Sequence, residues 1–175
     1  MLKFGRVIVS TQDVRPTTRC LFEHQGRLLL KESFDVSTNE IFYQPIGGKI
    51  EFAETARECI IREVYEEIQA EITDICFLGT IEHIYTLNGT LGHGLILLFS
   101  AAFVDSIFYK TDTITGYESN NVSFVAKWLH IDLFREKPEI LGPSGILSLL
   151  ERHNQGMEAP LLTIREQTLV EWQSS

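Results

Sequence analysis

The sequence predicts one mixed α/β domain, and three observations carry that expectation. Gln25-Gly26 sits between two apolar stretches, the mark of a tight hairpin turn. Thr55 followed three residues later by Glu58 is a capping box that opens a helix of apolar period 3.6. Two long strand-like stretches then flank a glycine-rich turn, and a second helical pattern follows near residue 146. At 175 residues the chain has the size of one domain and buries a sizeable core without staples.

In chain order, Val7-Ile8-Val9 is a short candidate strand, followed by a polar connection to Pro16. Thr17 to His24 and Arg27 to Glu32 form the two arms of the hairpin. Ser33 to Glu40 is polar and reads as a loop, and Ile41 to Gln44 as a short strand leading into Pro45-Ile46-Gly47-Gly48. Phe42 and Tyr43 alternate faces there, so that one can point into a cleft, although packing of both is the more economical arrangement. The capped helix runs from Ala56 to Ile68. After it, Ile72 to Leu78 and Thr80 to Thr86 make one strand bent at Gly79.

The glycine-rich turn spans Leu87 to Gly94 and leads into a strand from Leu95 to Val104. No Lys-Ser/Thr pair or helix follows those glycines, so they are a poor match to a phosphate loop. Asp105 to Asn121 is irregular and reads as a flap. Val122 to Ile131 is a strand carrying Trp128, Asp132 to Leu141 holds a helical turn before Pro138, and Ile146 to His153 is a helix. In the tail, Leu161 to Ile164 is the one apolar patch.

Composition excludes several classes. A formal charge of −9 argues against binding a nucleic-acid duplex, which takes clustered Lys and Arg. The apolar run from Leu95 to Val104 is far short of a membrane span, and the N-terminus turns polar too soon for a signal peptide. Cys20, Cys59 and Cys76 are odd in number and lack metal or redox spacing, which suits a reducing compartment, the cytoplasm. Monomer and homodimer are both open.

Chemistry concentrates on the capped helix. Winding it at about 100° per residue gathers Ala56, Ile60, Ile61, Val64 and Ile68 into an apolar stripe, with Glu63, Glu66 and Glu67 at its border. Like charges at these spacings repel by about 0.2–0.5 kcal/mol per pair in water and by more where water is excluded. A hard divalent cation such as Mg²⁺ relieves that repulsion and binds a few carboxylates together with substrate phosphates. An ordinary surface helix, with Arg62 paired to Glu58 and Glu66, accounts for the same spacing equally well.

The stretch from Gly48 to Ala70 resembles the Nudix box, G-x5-E-x7-R-E-U-x-E-E-x-G-U with U aliphatic. Gly48, Glu54, Arg62, Glu63, Val64, Glu66 and Glu67 match in register, whereas Gln69 stands in place of the glycine and Ala70 in place of a large aliphatic residue. That glycine normally ends the helix left-handed, at a cost to other residues of about 1 kcal/mol. Gln69 either extends the helix or accepts the strain. The Trp128–Leu133 stretch is also similar to a late strand and turn of the family.

The resemblance implies a Nudix-type α-β-α sandwich with a mixed central sheet. It spans about residues 17–152 of a single 1–175 domain, with 153–175 as a C-terminal extension. It also implies a MutT-like nucleotide pyrophosphohydrolase that uses Mg²⁺ or Mn²⁺ on a small nucleotide. By position the metal set is Gly48 (through its carbonyl), Glu63, Glu66 and Glu67. The catalytic set is Glu63 as base, Arg62 as the group that orients a carboxylate, and Glu66. Lys49, Glu54, Phe42 and Tyr85 are substrate-side candidates, with Glu54 also a partner for Arg62. Asp112 and Glu118 are candidates for a further acidic group from a later loop, and His93 for a proton carrier. The altered box end keeps a second reading open, a catalytically impaired nucleotide-sensing or protein-interaction module on the same fold.

Overall fold

The computed structural model describes residues 13–87 and 90–165, so the expected strand at Val7-Ile8-Val9 lies outside the described residues. Two sheets form the centre. The first contains β1 (Arg15–Leu21), β5 (Ile72–Leu87), β6 (Thr90–Phe103) and β9 (Leu161–Arg165), in the order β1-β6-β5-β9. β1 and β9 run parallel to their neighbours while β5 and β6 are antiparallel, so this sheet is mixed. The second has β2 (Glu23–His24), β3 (Arg27–Asp35), β7 (Thr113–Tyr117) and β8 (Ser123–His130) in the order β2-β3-β8-β7, with β4 (Glu40–Gln44) also paired to β3.

Strand alternation divides the core in two. Leu29 goes to one cluster while Leu28 and Leu30 go to the other, and Cys20 and Phe22 are separated from Leu21 in the same way. Successive side chains of a strand point to opposite faces. Helix α1 (Ala56–Ile68) packs Ile60, Val64 and Ile68 into the first cluster. Phe134 of α2 (Ile131–Glu136), with Ile146, Leu149 and Leu150 of α3 (Ile146–Asn154), fills the second. The helices therefore cover opposite faces, which makes the expected α-β-α sandwich.

Several boundaries differ from expectation. The first hairpin arm breaks at Phe22: β1 pairs with β6 of one sheet, and only Glu23 and His24 pair back onto β3. Phe22 is fully buried and stacks on Phe103 at 4.0 Å, which fixes the crossing between sheets. Apolar alternation specifies a face but not the strand that supplies hydrogen bonds.

The loop expected from Ser33 to Glu40 is shorter, a turn over residues 36–39, because β3 and β4 pair out to Asp35 and Glu40. The Asp35 carboxylate accepts from the Ser37 N–H at 2.8 Å and closes the short turn. Leu91 to Gly94 belong to β6, paired with β5, rather than to a turn. The expected flap contains a 3₁₀ turn at Ser106–Tyr109 and the strand β7. The bend at Gly79 is present as register shifts on either side of Cys76 and Phe77.

Candidate active site

The site begins where β1 meets the glycine pair. Gly47 has φ 138°, and a Cβ there would stand 2.4 Å from the Thr18 carbonyl oxygen, so no other residue fits. Arg19 donates to the Gly47 carbonyl, and the Thr18 N–H donates to the Gly48 carbonyl at 2.9 Å. At Gly48 a Cβ would lie 2.4 Å from the Glu63 carboxyl. The missing side chain is what lets Glu63 sit against this backbone.

Helix α1 is held at both ends. The Glu58 N–H donates to Thr55 Oγ1 at 3.2 Å and the Thr55 N–H to Glu58 Oε2 at 2.9 Å, completing the capping box. Glu58 is thereby used as a cap and does not pair with Arg62. At the far end Gln69 adopts φ 56°, ψ 33°, its N–H donates to the Tyr65 carbonyl, and its Nε2 donates to the same oxygen at 2.8 Å. Gln69 accepts the left-handed conformation, and the helix ends where the box glycine would end it.

Arg62 organises the outer carboxylates. Its Nε and Nη2 donate to the two oxygens of Glu54 at 2.7 and 2.9 Å, and its Nη1 donates to Glu63 at 2.8 Å and Glu66 at 3.1 Å. A further bond from Nη2 reaches the Lys49 carbonyl at 3.2 Å. The Arg62 hydrogen bonds, followed by the Glu51 N–H, hold the Glu54 carboxyl at a pKa of about 2. Bonds to Glu54, outweighing the cost of burial, keep Arg62 protonated. Both oxygens of Glu54 accept hydrogen bonds, from Arg62 and the Glu51 N–H, and Glu54 does not line the cleft; of the two places expected for it, the structure puts it beside Arg62.

A second cluster lies deeper. Glu67 is only 4% exposed, and its Oε2 has no hydrogen-bond partner. Lys31, 5% exposed, places Nζ 3.8 Å from Glu67 Oε1 and 2.6 Å from Glu118 Oε1, over the ring of Phe124. Burial raises the Glu67 pKa to about 7, and nearby Glu118 and Glu63 push the same way against Lys31 and Arg19. These are not the carboxylates of a solvated helix face.

A cleft of about 1570 Å³ opens over both clusters, lined by Glu63, Glu66, Glu67 and Glu118, by Arg15, Arg19, Lys31 and Lys49, and by Phe42 and Tyr85. Tyr85 stacks on His83 with centroids 4.8 Å apart and lies directly over Gly92. Tyr43, by contrast, packs against Phe134 in the core. Two candidates lie elsewhere. The Asp112 side chain is 96% exposed and faces Arg27 at 3.8 Å, outside the cleft, because β7 begins at the next residue and carries the chain toward Glu118. His93 sits on β6 against Glu82 at 3.2 Å, also outside the cleft.

Among the described residues no three His, Cys, Asp or Glu side chains stand ready to ligate a metal. Arg62 pairs with Glu63 and Glu66, and Lys31 with Glu118 and Glu67. The donor set still suits a hard divalent cation, since it consists of carboxylate oxygens and includes the unpartnered Glu67 Oε2. Sequence reasoning missed Lys31 and Arg19. The available signal was a lysine placed straight after Leu28-Leu29-Leu30, on the same strand face as buried Leu29.

The profile of the NUDIX domain matches residues 15–149. Among solved structures, a NUDIX hydrolase from Nitrosomonas europaea superposes with a TM-score of 0.59 at 19% identity, over 85% of this chain and 93% of that one. A MutT protein from Methanosarcina mazei Go1 gives 0.56 at 19% identity, over 83% and 96%. A protein described as mMutator MutT from Bacillus halodurans gives 0.55 at 17% identity, over 92% and 95%. At these identities the likeness is one of fold. A search of curated proteins finds no match.

Proposed function

This chain belongs to the Nudix family and is a Nudix-type pyrophosphohydrolase, and on that footing we propose that it cleaves a diphosphate linkage in a small nucleotide, with Mg²⁺ or Mn²⁺ as the metal. A nucleoside triphosphate is the preferred substrate, ahead of other nucleoside diphosphate derivatives. The observation that carries this reading is the cleft itself, lined by Glu63, which sits against Gly48, by Glu66 and Glu67, and by the cationic side chains of Arg15, Arg19, Lys31 and Lys49.

Phosphorus in a phosphoanhydride is shielded by negative oxygens. Its hydrolysis needs that charge neutralised, a water placed in line, and the water's proton removed. Glu63, Glu66, Glu67 and the Gly48 carbonyl would hold the divalent cation, which supplies positive charge to the phosphate and acidifies bound water. Glu63 is the base, fixed by Arg62 at 2.8 Å and by its seat against Gly48. Arg62 acts by orientation, since its guanidinium is committed to carboxylates. Lys49, exposed on the cleft, meets a phosphate as a point charge. Phe42 and Tyr85 offer planar faces to a base. Glu118 is the further acidic group supplied by a later loop.

The test is a panel of nucleotides incubated with the purified chain and Mg²⁺, with products identified. Glu66→Gln and Glu67→Gln are expected to abolish release of phosphate or pyrophosphate, and full activity in either variant would remove this site. Gln69 motivates the alternative of an impaired sensing or interaction module, but it keeps the left-handed helix end and displaces no carboxylate. Among the described residues no helix is long and apolar enough to cross a membrane; action in the cytoplasm is part of the proposal.

A further inference from the structure

We propose that Lys31 is a resident counter-cation of the acidic site, released to the substrate's phosphate when a divalent cation takes its place. This rests on reading the cleft as a metal-assisted pyrophosphohydrolase site. Lys31 is a buried lysine bound to two carboxylates from distant parts of the chain, Glu67 on α1 and Glu118 just after β7. Without a cation between them, two carboxylates brought together in this wall would repel. The ammonium is that cation, and it leaves one oxygen of Glu67 buried and unpartnered. With both carboxylates ionised, one positive charge between them leaves the pair undercompensated, whereas a divalent ion balances it.

The side chain suits an exchange. Lysine carries a compact, hydrated charge on a flexible four-carbon stem, unlike the rigid fork of Arg62. Its backbone is fixed by β4 on one side and β8 on the other, through Gln44 and Ala126, so only the stem can move. Lys31 also lines the cleft together with Arg19 and Lys49. An ammonium displaced from Glu67 and Glu118 therefore stays among cationic neighbours, and a phosphate anion is the partner of matching charge. Lys31 would lower the affinity of the empty site for metal and raise that of the loaded site for phosphate, which couples the two ligands.

Two measurements test this without relying on turnover. In the wild-type chain, acetylation of Lys31 by an amine-reactive probe is followed by mass spectrometry. Saturating Mn²⁺ is expected to raise its labelling about tenfold, the scale of one ordinary ion-pair interaction, and inorganic pyrophosphate added with Mn²⁺ to suppress it again. By calorimetry, Lys31→Met is expected to bind Mn²⁺ about tenfold more tightly than wild type and pyrophosphate more weakly, while Lys31→Arg, which keeps the charge, shows no gain for Mn²⁺.

A lysine that merely braces the wall predicts the opposite sign, weaker Mn²⁺ binding in Lys31→Met. Mn²⁺ binding that leaves Lys31 labelling unchanged, or a Lys31→Met affinity that is unchanged or lower, overturns the inference while the pyrophosphohydrolase reading stands. Absence of any Mn²⁺ binding overturns both. Should Lys31→Met fail to fold, the wild-type labelling decides.

Discussion

Two cations manage the acidic residues in and around the cleft, and they do so at different ranges in the chain. Arg62 holds Glu54, Glu63 and Glu66, all within eight positions of itself and most on its own helix. Lys31, on β3, holds Glu67 of α1 and Glu118 from the turn after β7, the second of them 87 positions away. The Arg62 network faces partly outward and saturates its donors. Lys31 and Glu67 are buried while Glu118 is partly exposed, and one oxygen of Glu67 is left over. A network whose partners all lie close by in the chain, most of them on one helix, can be rigid, whereas one assembled across three elements can stay poised to rearrange.

The largest effect that sharpens this contrast is expected at Glu63. Glu63→Gln keeps the shape but removes the proposed base, so kcat should fall about 10²–10⁴-fold; a fall of less than tenfold in steady-state assays would move the base to another carboxylate. Next comes pH dependence at the buried cluster. Glu67 has a folded-state pKa of about 7, above its ordinary 4.5, so the metal-free fold binds an extra proton between those values. Its stabilising contribution is complete below about pH 4.5 and is lost as pH rises through about 7, on the order of 3 kcal/mol in all. Urea midpoints in chelator at pH 5 and pH 8 should show the decline, and Glu67→Gln should flatten it.

Gly48→Ala forces a methyl group into the Glu63 carboxyl, and overpacking of this kind costs about 1–3 kcal/mol. Activity is expected to fall together with the thermal midpoint, and an unchanged pair of values would separate Glu63 from this backbone. Gln69→Gly should act in the other direction. It relieves a left-handed residue and adds about 1 kcal/mol, seen as a rise in the melting temperature with kcat preserved. Asp112→Asn lies outside both networks and is expected to change neither activity nor metal affinity measurably.

How much of this was legible follows the same division. The helix from 56 to 68, its cap and its carboxylates are visible in sequence because capping and helical period act over three or four residues. The strands around 41–44, 72–86 and 123–130 were legible from apolar runs and alternation, whereas 161–164 showed only an apolar patch. The split of the first hairpin arm between two sheets was not, since pairing partners are chosen by the whole fold. Asp112 and Glu118 looked equivalent as acidic residues in one polar stretch. Strand β7, which lies between them, sends one to Arg27 and the other to Lys31.

The sequence by itself determined the box helix, the glycine bend beside it and the family, because those depend on contacts between near neighbours in the chain. Only the tertiary structure decided that Glu67 is buried with an oxygen to spare, that Lys31 faces it, and that Arg19 supports the glycine bend. Burial and long-range charge pairing are properties of how elements pack together, and no local pattern of residues encodes which lysine will be brought to which glutamate.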